Sequence, residues 1–278
     1  MQQINSRQII QKAFQSRTVI PGFNIPYLPM MKPVVDALRD TGSFGFIMVA
    51  RLEWMKFKSV SLEAVIEEYE KCKDITHTRL HLDHIPVIDE DEVAVDYLAV
   101  IKRALDAGYD SVMVDGSRLP LMENIAHTRA VVDLAHARGV AVEAELGAVM
   151  GHEAGPLPPY EELFTSGRGF TDPDEAAEFV RQTGVDWLSV AVGNIHGAIS
   201  AAKKDTAKFP ARLDLDRVEN IRDRVEIPLV LHGGTGIPAE QVAQAIKKGI
   251  AKINIATAIR QPYEKALAVS TAAAQKDG

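Results

Sequence analysis

The sequence has a single cysteine, Cys72, so no internal disulfide framework can form, and this usage fits a reducing compartment. Cys72 falls in a helical-looking stretch with no companion and reads as structural. There is no basic excess: 31 Lys and Arg stand against 38 Asp and Glu, a net charge of −7. That balance argues against nucleic acid or an anionic membrane as the main partner. No apolar run reaches membrane-spanning length, and the polar N-terminus has no signal-peptide pattern. Internal repeats, low-complexity segments and linker-like breaks are also missing. A soluble, cytoplasmic protein is expected.

What is present is an alternation of short apolar runs with helix-like segments. At 278 residues the chain has room for two ordinary domains or one large barrel. Strand-like runs fall at residues 20–25, 44–50, 78–85, 111–115, 140–146, 187–192, 227–231 and 251–256. Run 44–50 (FGFIMVA) is almost wholly apolar, as for a strand buried on both faces. Helices are expected at 31–39, 62–72, 93–107, 121–137, 216–222, 239–248 and 262–274. Another opens at Asp172-Pro173-Asp174-Glu175, with a cap residue, a proline at the first helical position and an acid three residues after the cap. Residues 147–169 carry five glycines and three prolines and read as a mobile loop. Eight strands alternating with helices predict a single (β/α)8 TIM barrel over residues 1–278. A doubly wound open sheet is the runner-up.

The polar residues that interrupt these runs sit at strand C-termini: Asn24, the group His81-Leu82-Asp83-His84, Asp115, Glu145, His196, His232 and Asn254. In such a barrel that end carries the active site. A strand has a period of two, so His81 and Asp83 share one face, with His84 opposite or where the chain turns. Neutral imidazoles bind divalent metals well, and a nearby carboxylate can orient them or move protons. His84, His196 and His232 bring three imidazoles from three strands. Three protein ligands plus an open position are the arrangement of a catalytic zinc. Gly233-Gly234-Thr235-Gly236 before a helix suits a phosphate. Asn254 and Thr257 end the next strand, where such barrels commonly bind one.

These residues fall in the motifs HLDH (81–84), VDGS (114–117), EAELG (143–147), GNIHG (193–197), HGGTG (232–236) and INIAT (253–257). In order and spacing the chain resembles the class II, metal-dependent fructose/tagatose-bisphosphate aldolase family over essentially its full length. The resemblance implies His84, His196 and His232 as metal ligands and Asp83 as the acid that exchanges a proton with the aldehyde-derived hydroxyl. It implies Glu145 as an acid near the metal, with Asp115 and His81 as alternative or supporting metal positions. Gly197, Gly233, Thr235, Asn254 and Thr257, with Asn24, would cradle the ketose phosphate. Glu153 would handle the C–H proton of dihydroxyacetone phosphate. The implied cofactor is Zn2+, with Co2+ or Mn2+ as substitutes and a monovalent cation beside it. The implied partner is a small phosphorylated sugar, and a homo-oligomer (dimer or tetramer) is the family expectation.

Some positions depart from the family pattern. Ile85 replaces a small residue, Ala50-Arg51-Leu52-Glu53 replaces a small Gly- and Ser/Thr-containing turn, and His152 precedes Glu153. The segment 198–212 is also longer than usual. The expected function is a lyase releasing dihydroxyacetone phosphate and an aldehyde from a ketose bisphosphate. The altered turn keeps open a non-standard ketose or keto acid; Arg51 or Lys203 could meet a carboxylate, sulfonate or phosphate, or be simply solvated. A non-catalytic subunit of an aldolase is the remaining alternative, and it would have lost these ligands or acids.

Overall fold

The computed structural model describes residues 4–149, 159–195 and 211–274. Eight parallel strands close in sequence order into a barrel: β1 (Ile20–Asn24), β2 (Gly45–Ala50), β3 (Thr78–Pro86), β4 (Ser111–Asp115), β5 (Ala141–Leu146), β6 (Trp187–Val190), β7 (Leu229–Leu231) and β8 (Ile250–Ile255). The expected barrel is therefore present. Its helices are α1 (Ser6–Gln15), α2 (Met31–Asp40), α3 (Arg51–Lys56), α4 (Leu62–Cys72), α5 (Tyr97–Ala107), α6 (Leu121–His136), α7 (Tyr160–Ser166), α8 (Pro173–Thr183), α9 (Leu215–Val225), α10 (Ala239–Lys248) and α11 (Thr257–Ala274).

Alternation along each strand divides the core in two. Ile47, Val49, Leu80, Leu82, Val142 and Ala144 point outward into one cluster with the helices. Phe46, Met48, Ala141, Trp187, Val230 and Ala251 form a second cluster inside the barrel. Ile10 and Ala13 of α1 join that inner cluster, so α1 plugs the N-terminal end of the barrel. Arg7 holds it by an ion pair to Asp186, and Asn5 caps it by accepting from the Gln8 amide. Above this apolar floor, the inward positions of β3, β5 and β8 turn polar.

Four segments differ from expectation. The 147–169 stretch contains α7 rather than a featureless loop, because Tyr160 and Leu163 bury one face and Gly167 ends the helix with φ +64. Helix α5 starts at Tyr97, since residues 88 and 94 pair instead as an antiparallel bridge and Asp96 caps the helix. Helices α1 and α3 escape the periodicity reading: α1 precedes the first strand, and α3 is a short insert directly after β2.

The plug is testable. Ile10 is fully buried, and Ile10→Ala should cost about 2–5 kcal/mol, read as a lower midpoint in chemical denaturation. Because Ile10 lies at the opposite end of the barrel from the polar strand ends, metal binding should be unchanged.

Candidate metal and active site

The site begins with a defect in β3. His81 and Leu82 pair with Ser111 and Val112, but Ile85 pairs with Val114, so Asp83 and His84 together oppose Met113 alone. That is a bulge, with one extra residue in one strand. His84 absorbs it at φ +35, in the left-handed region that costs a non-glycine residue on the order of 1–3 kcal/mol. As a result two consecutive side chains reach the barrel mouth. Simple alternation would send His84 to the other face; the bulge corrects that expectation.

Asp83 is buried and held from two sides. Asn24 Nδ2 donates to its Oδ2 at 2.9 Å, and Asn254 Nδ2 donates to its Oδ1 at 2.9 Å. Burial alone would raise its pKa, but His84, His232 and Lys252 hold the carboxyl below its ordinary value. Asp83 is therefore ionised at neutral pH.

His84 Nδ1 contacts Asp115 Oδ2 at 3.1 Å, and Ser117 donates to Asp115 through both its amide and its hydroxyl. His232 Nε2 contacts Glu143 Oε1 at 2.8 Å. With those nitrogens tied, His84 Nε2 and His232 Nδ1 face each other at 2.6 Å. A carboxylate on the far nitrogen fixes the tautomer and turns the near one toward a metal. Glu145 Oε2 stands 3.4 Å from His232 Nδ1 and accepts from Ser189 Oγ at 3.1 Å. Donor atoms of Asp83, His84 and His232 lie within 4.8 Å of one another, as do those of His84, Asp115 and Glu145. This mixed imidazole and carboxylate set suits a divalent transition metal.

Burial lowers His84, but Asp83, Asp115 and Glu145 outweigh it and carry the imidazole up to about 10. Burial and the adjacent His84 push His232 down. Glu145 rises to about 8 through burial and the Asp115 charge. At neutral pH the metal-free site thus holds a cationic His84, a neutral His232 and a protonated Glu145.

Beneath lies a second polar layer. Glu143 is fully buried and accepts from Trp187 Nε1 at 2.6 Å and from Lys252 Nζ at 2.8 Å. Burial would raise Glu143, but Lys252 and His232 keep it well below its usual value. His81 belongs to this layer, with Nδ1 2.8 Å from Ser111 Oγ and Nε2 lacking a hydrogen-bond partner. Burial and Lys252 lower His81 to about 3, so it is neutral. Donors of His81, Asp83 and Glu143 also cluster, but the Lys252 ammonium already supplies their cation. The metal-like grouping at the mouth is therefore that of His84, with Asp115 and Glu145, rather than that of His81.

Of the residues singled out from sequence, Asn24, Asp83, His84, Asp115, Glu145, His232 and Asn254 converge. Gly233 and Thr235 lie in the loop after β7, where Gly233 and Gly236 take φ +62 and +91, and Thr257 opens α11 after β8. Asn254 turns to Asp83 and Lys252 rather than to those loops. Glu153, His196 and Gly197 lie outside the described residues. Sequence reasoning missed Glu143, Lys252 and Glu53. The first two had a signal, since each lies two residues from a recognised position on the same strand and so shares its face.

Residues 4–277 match the family model described as fructose-bisphosphate aldolase class-II. The chain belongs to that family. A fructose-bisphosphate aldolase of Geobacillus stearothermophilus is 34% identical over 270 residues, spanning 96% of this chain and 85% of that protein. The crystal structure of the YdjI aldolase from Escherichia coli K12 is 30% identical with a TM-score of 0.69, covering 93% of this chain and 82% of that one. A putative fructose-1,6-biphosphate aldolase from Coccidioides immitis is 28% identical with a TM-score of 0.71, covering 95% and 85%. As a class II aldolase the protein is a carbon–carbon lyase of a metal-dependent family. Among the described residues no helix is long and apolar enough to cross a membrane.

Two outcomes follow for this aldolase. Because His84 is raised to about 10, taking up a divalent ion at pH 7 should release at least one proton. Affinity should rise with pH from about 6.5 toward 10, as calorimetry in buffers of different ionisation enthalpy would show. Asp115→Asn removes the carboxylate behind His84 and should weaken metal binding by about 10–100-fold, measured by chelator competition.

Proposed function

We propose that this class II aldolase reversibly cleaves a phosphorylated ketose to dihydroxyacetone phosphate and an aldehyde, using a bound divalent metal. The observation that carries the reading is the ionised Asp83, clamped by two carboxamides beside two imidazole nitrogens aimed at one point. The name of the Geobacillus relative points to ketose bisphosphates as the first substrates to try. His84 and His232, with His196, would hold the ion, and Glu145 or Asp115 would join them. Zn2+ is the natural occupant of such a set, with Co2+ or Mn2+ as substitutes.

When bound, the metal supplies Lewis-acid polarisation of the substrate carbonyl. Asp83 takes the proton of the hydroxyl on the carbon that becomes the aldehyde, and the carbon–carbon bond breaks as that proton leaves. In the synthetic direction Asp83 returns it. The Gly233–Gly236 turn and Thr257 offer backbone donors and a helix start to the ketose phosphate. Glu153 is the candidate for the C–H proton of dihydroxyacetone phosphate. A monovalent cation near the phosphate and assembly as a homodimer or tetramer complete the reading.

A second reading concerns the substrate. In a barrel closed in order, the loops after β2, β3 and β4 face those after β7 and β8 across the mouth. There a cleft of about 80 Å³ opens beside His84, lined by Arg51, Leu52, Ile88, Glu90 and Arg118. Arg51 is paired with Asp89 at 3.3 Å, and Glu90 with Lys56 at 2.8 Å. A ketose anchored at β7 and β8 would place its aldehyde half in this cleft. Its helical wall, α3, stands in place of the family's small turn, and this favours an uncommon ketose or a keto acid.

The test is coupled release of dihydroxyacetone phosphate from a panel of ketose phosphates, with and without chelator. Chelator-sensitive release supports the reading, and the preferred ketose decides between the two substrates. Asp83→Asn should lower cleavage by about 10²–10⁴-fold with metal content retained. Full activity in a metal-free preparation would refute it.

A further inference from the structure

Asp83 is held by two carboxamides, and each of these is itself steered from behind by a buried ionisable side chain. Lys252 Nζ donates to Asn254 Oδ1 at 2.7 Å. That leaves the Asn254 amino group, and not its oxygen, facing Asp83. On the other side, Glu53 Oε2 lies 3.5 Å from Asn24 Nδ2, the nitrogen that also donates to Asp83. A carboxamide's two ends differ only in hydrogen-bond sense, so its orientation is set by its partners. Glu53 Oε2 already accepts from the Ala50 amide and Asp83 Oδ2 belongs to an ionised carboxylate, so both oxygens facing Asn24 are acceptors and only its amino end fits between them.

We propose that Glu53 is a positioning residue for Asp83: it holds the Asn24 carboxamide in the orientation that donates to the proton-transfer carboxylate, as Lys252 does for Asn254.

Several observations support this. Glu53 is only 6% exposed, although Glu is almost never buried without a partner. Its Oε2 is pinned by the Ala50 amide at 2.8 Å, the end of α3, which makes it a fixed reference rather than a swinging acid. Burial raises its carboxyl to about 8, so at neutral pH it is an uncharged acid. A neutral Glu53 leaves the ionised state to Asp83 alone and avoids placing two carboxylates side by side. The role needs only an acceptor oxygen, which Gln also has.

The inference rests on the reading of Asp83 as the proton-transfer acid, and its test separates the two. In chelator-sensitive cleavage, Glu53→Ala should lower kcat about tenfold with KM and metal content little changed, while Glu53→Gln stays near wild type. Asn24→Ala should lower kcat too, and Glu53→Ala added to it should cost nothing more, because Glu53 acts through Asn24. A crystal structure of Glu53→Ala should show the Asn24 amino group turned from Asp83. Wild-type kcat in a Glu53→Ala protein with a lowered melting temperature would overturn the proposal, leaving Glu53 as the cap of α3. Additive losses in the double variant, or an unmoved Asn24, would also overturn it. If the wild-type protein cleaves no ketose phosphate but Asn24 turns in the variant structure, the reading of Asp83 fails and the positioning stands.

Discussion

Everything at the mouth of this barrel depends on one extra residue in β3. A regular strand presents alternate side chains to the interior, which would admit Asp83 or His84 but not both. By setting two residues against Met113, the bulge puts the buried carboxylate of Asp83 and a candidate metal donor side by side. The cost is a histidine held at positive φ. It is offset by the closed ladder around it and by the ion pair from His84 to Asp115. Bulges concentrate beside active sites for this reason: they re-aim side chains without moving the scaffold.

Around that point the protein sorts charge by depth. Deepest is the apolar floor sealed by α1. Above it Glu143 and Lys252 neutralise each other, with an uncharged His81 beside Glu143. At the mouth, Asp83 and Asp115 are ionised, His84 is cationic, and Glu53 and Glu145 are pushed up to neutrality. Carboxyl groups of the same kind thus take opposite states within one site, and neighbouring charge decides which. Burial acts on all of them in the same direction. Asp83, Asp115 and Glu143 escape its effect through His84 or Lys252, whereas Glu145 does not, because the Asp115 charge adds to burial.

Much of this was readable in the chain beforehand. The near-continuous apolar run of β2 and the capping pattern at Asp172 marked the elements, and polar residues at the strand ends marked the face. What escaped was whatever needs a partner strand to be defined. The bulge is a matter of register between β3 and β4, invisible in the period of HLDH alone. Helix α7 hides among glycines and prolines because its stability comes from burying Tyr160 and Leu163. Helix α3 has six residues and an alanine where a cap side chain is expected, so nothing in the segment 50–53 singled out Glu53. Glu143 and Lys252 look like misplaced charges until the closed barrel brings them within hydrogen-bond distance. Period-two spacing from Glu145 and Asn254 was the available hint.

The Lys252 ammonium, already described as the counter-ion of Glu143, has a consequence for how the protein is assembled. Its ion pair with Glu143 balances the buried layer from within the chain. Chain closure therefore need not wait for metal, unlike domains whose ligands repel one another until the ion is present. The lysine also forms a positive floor under the donor group, turning a divalent ion back toward the opening. The candidate metal donors thus sit on the mouth side of a layer that is already balanced in charge.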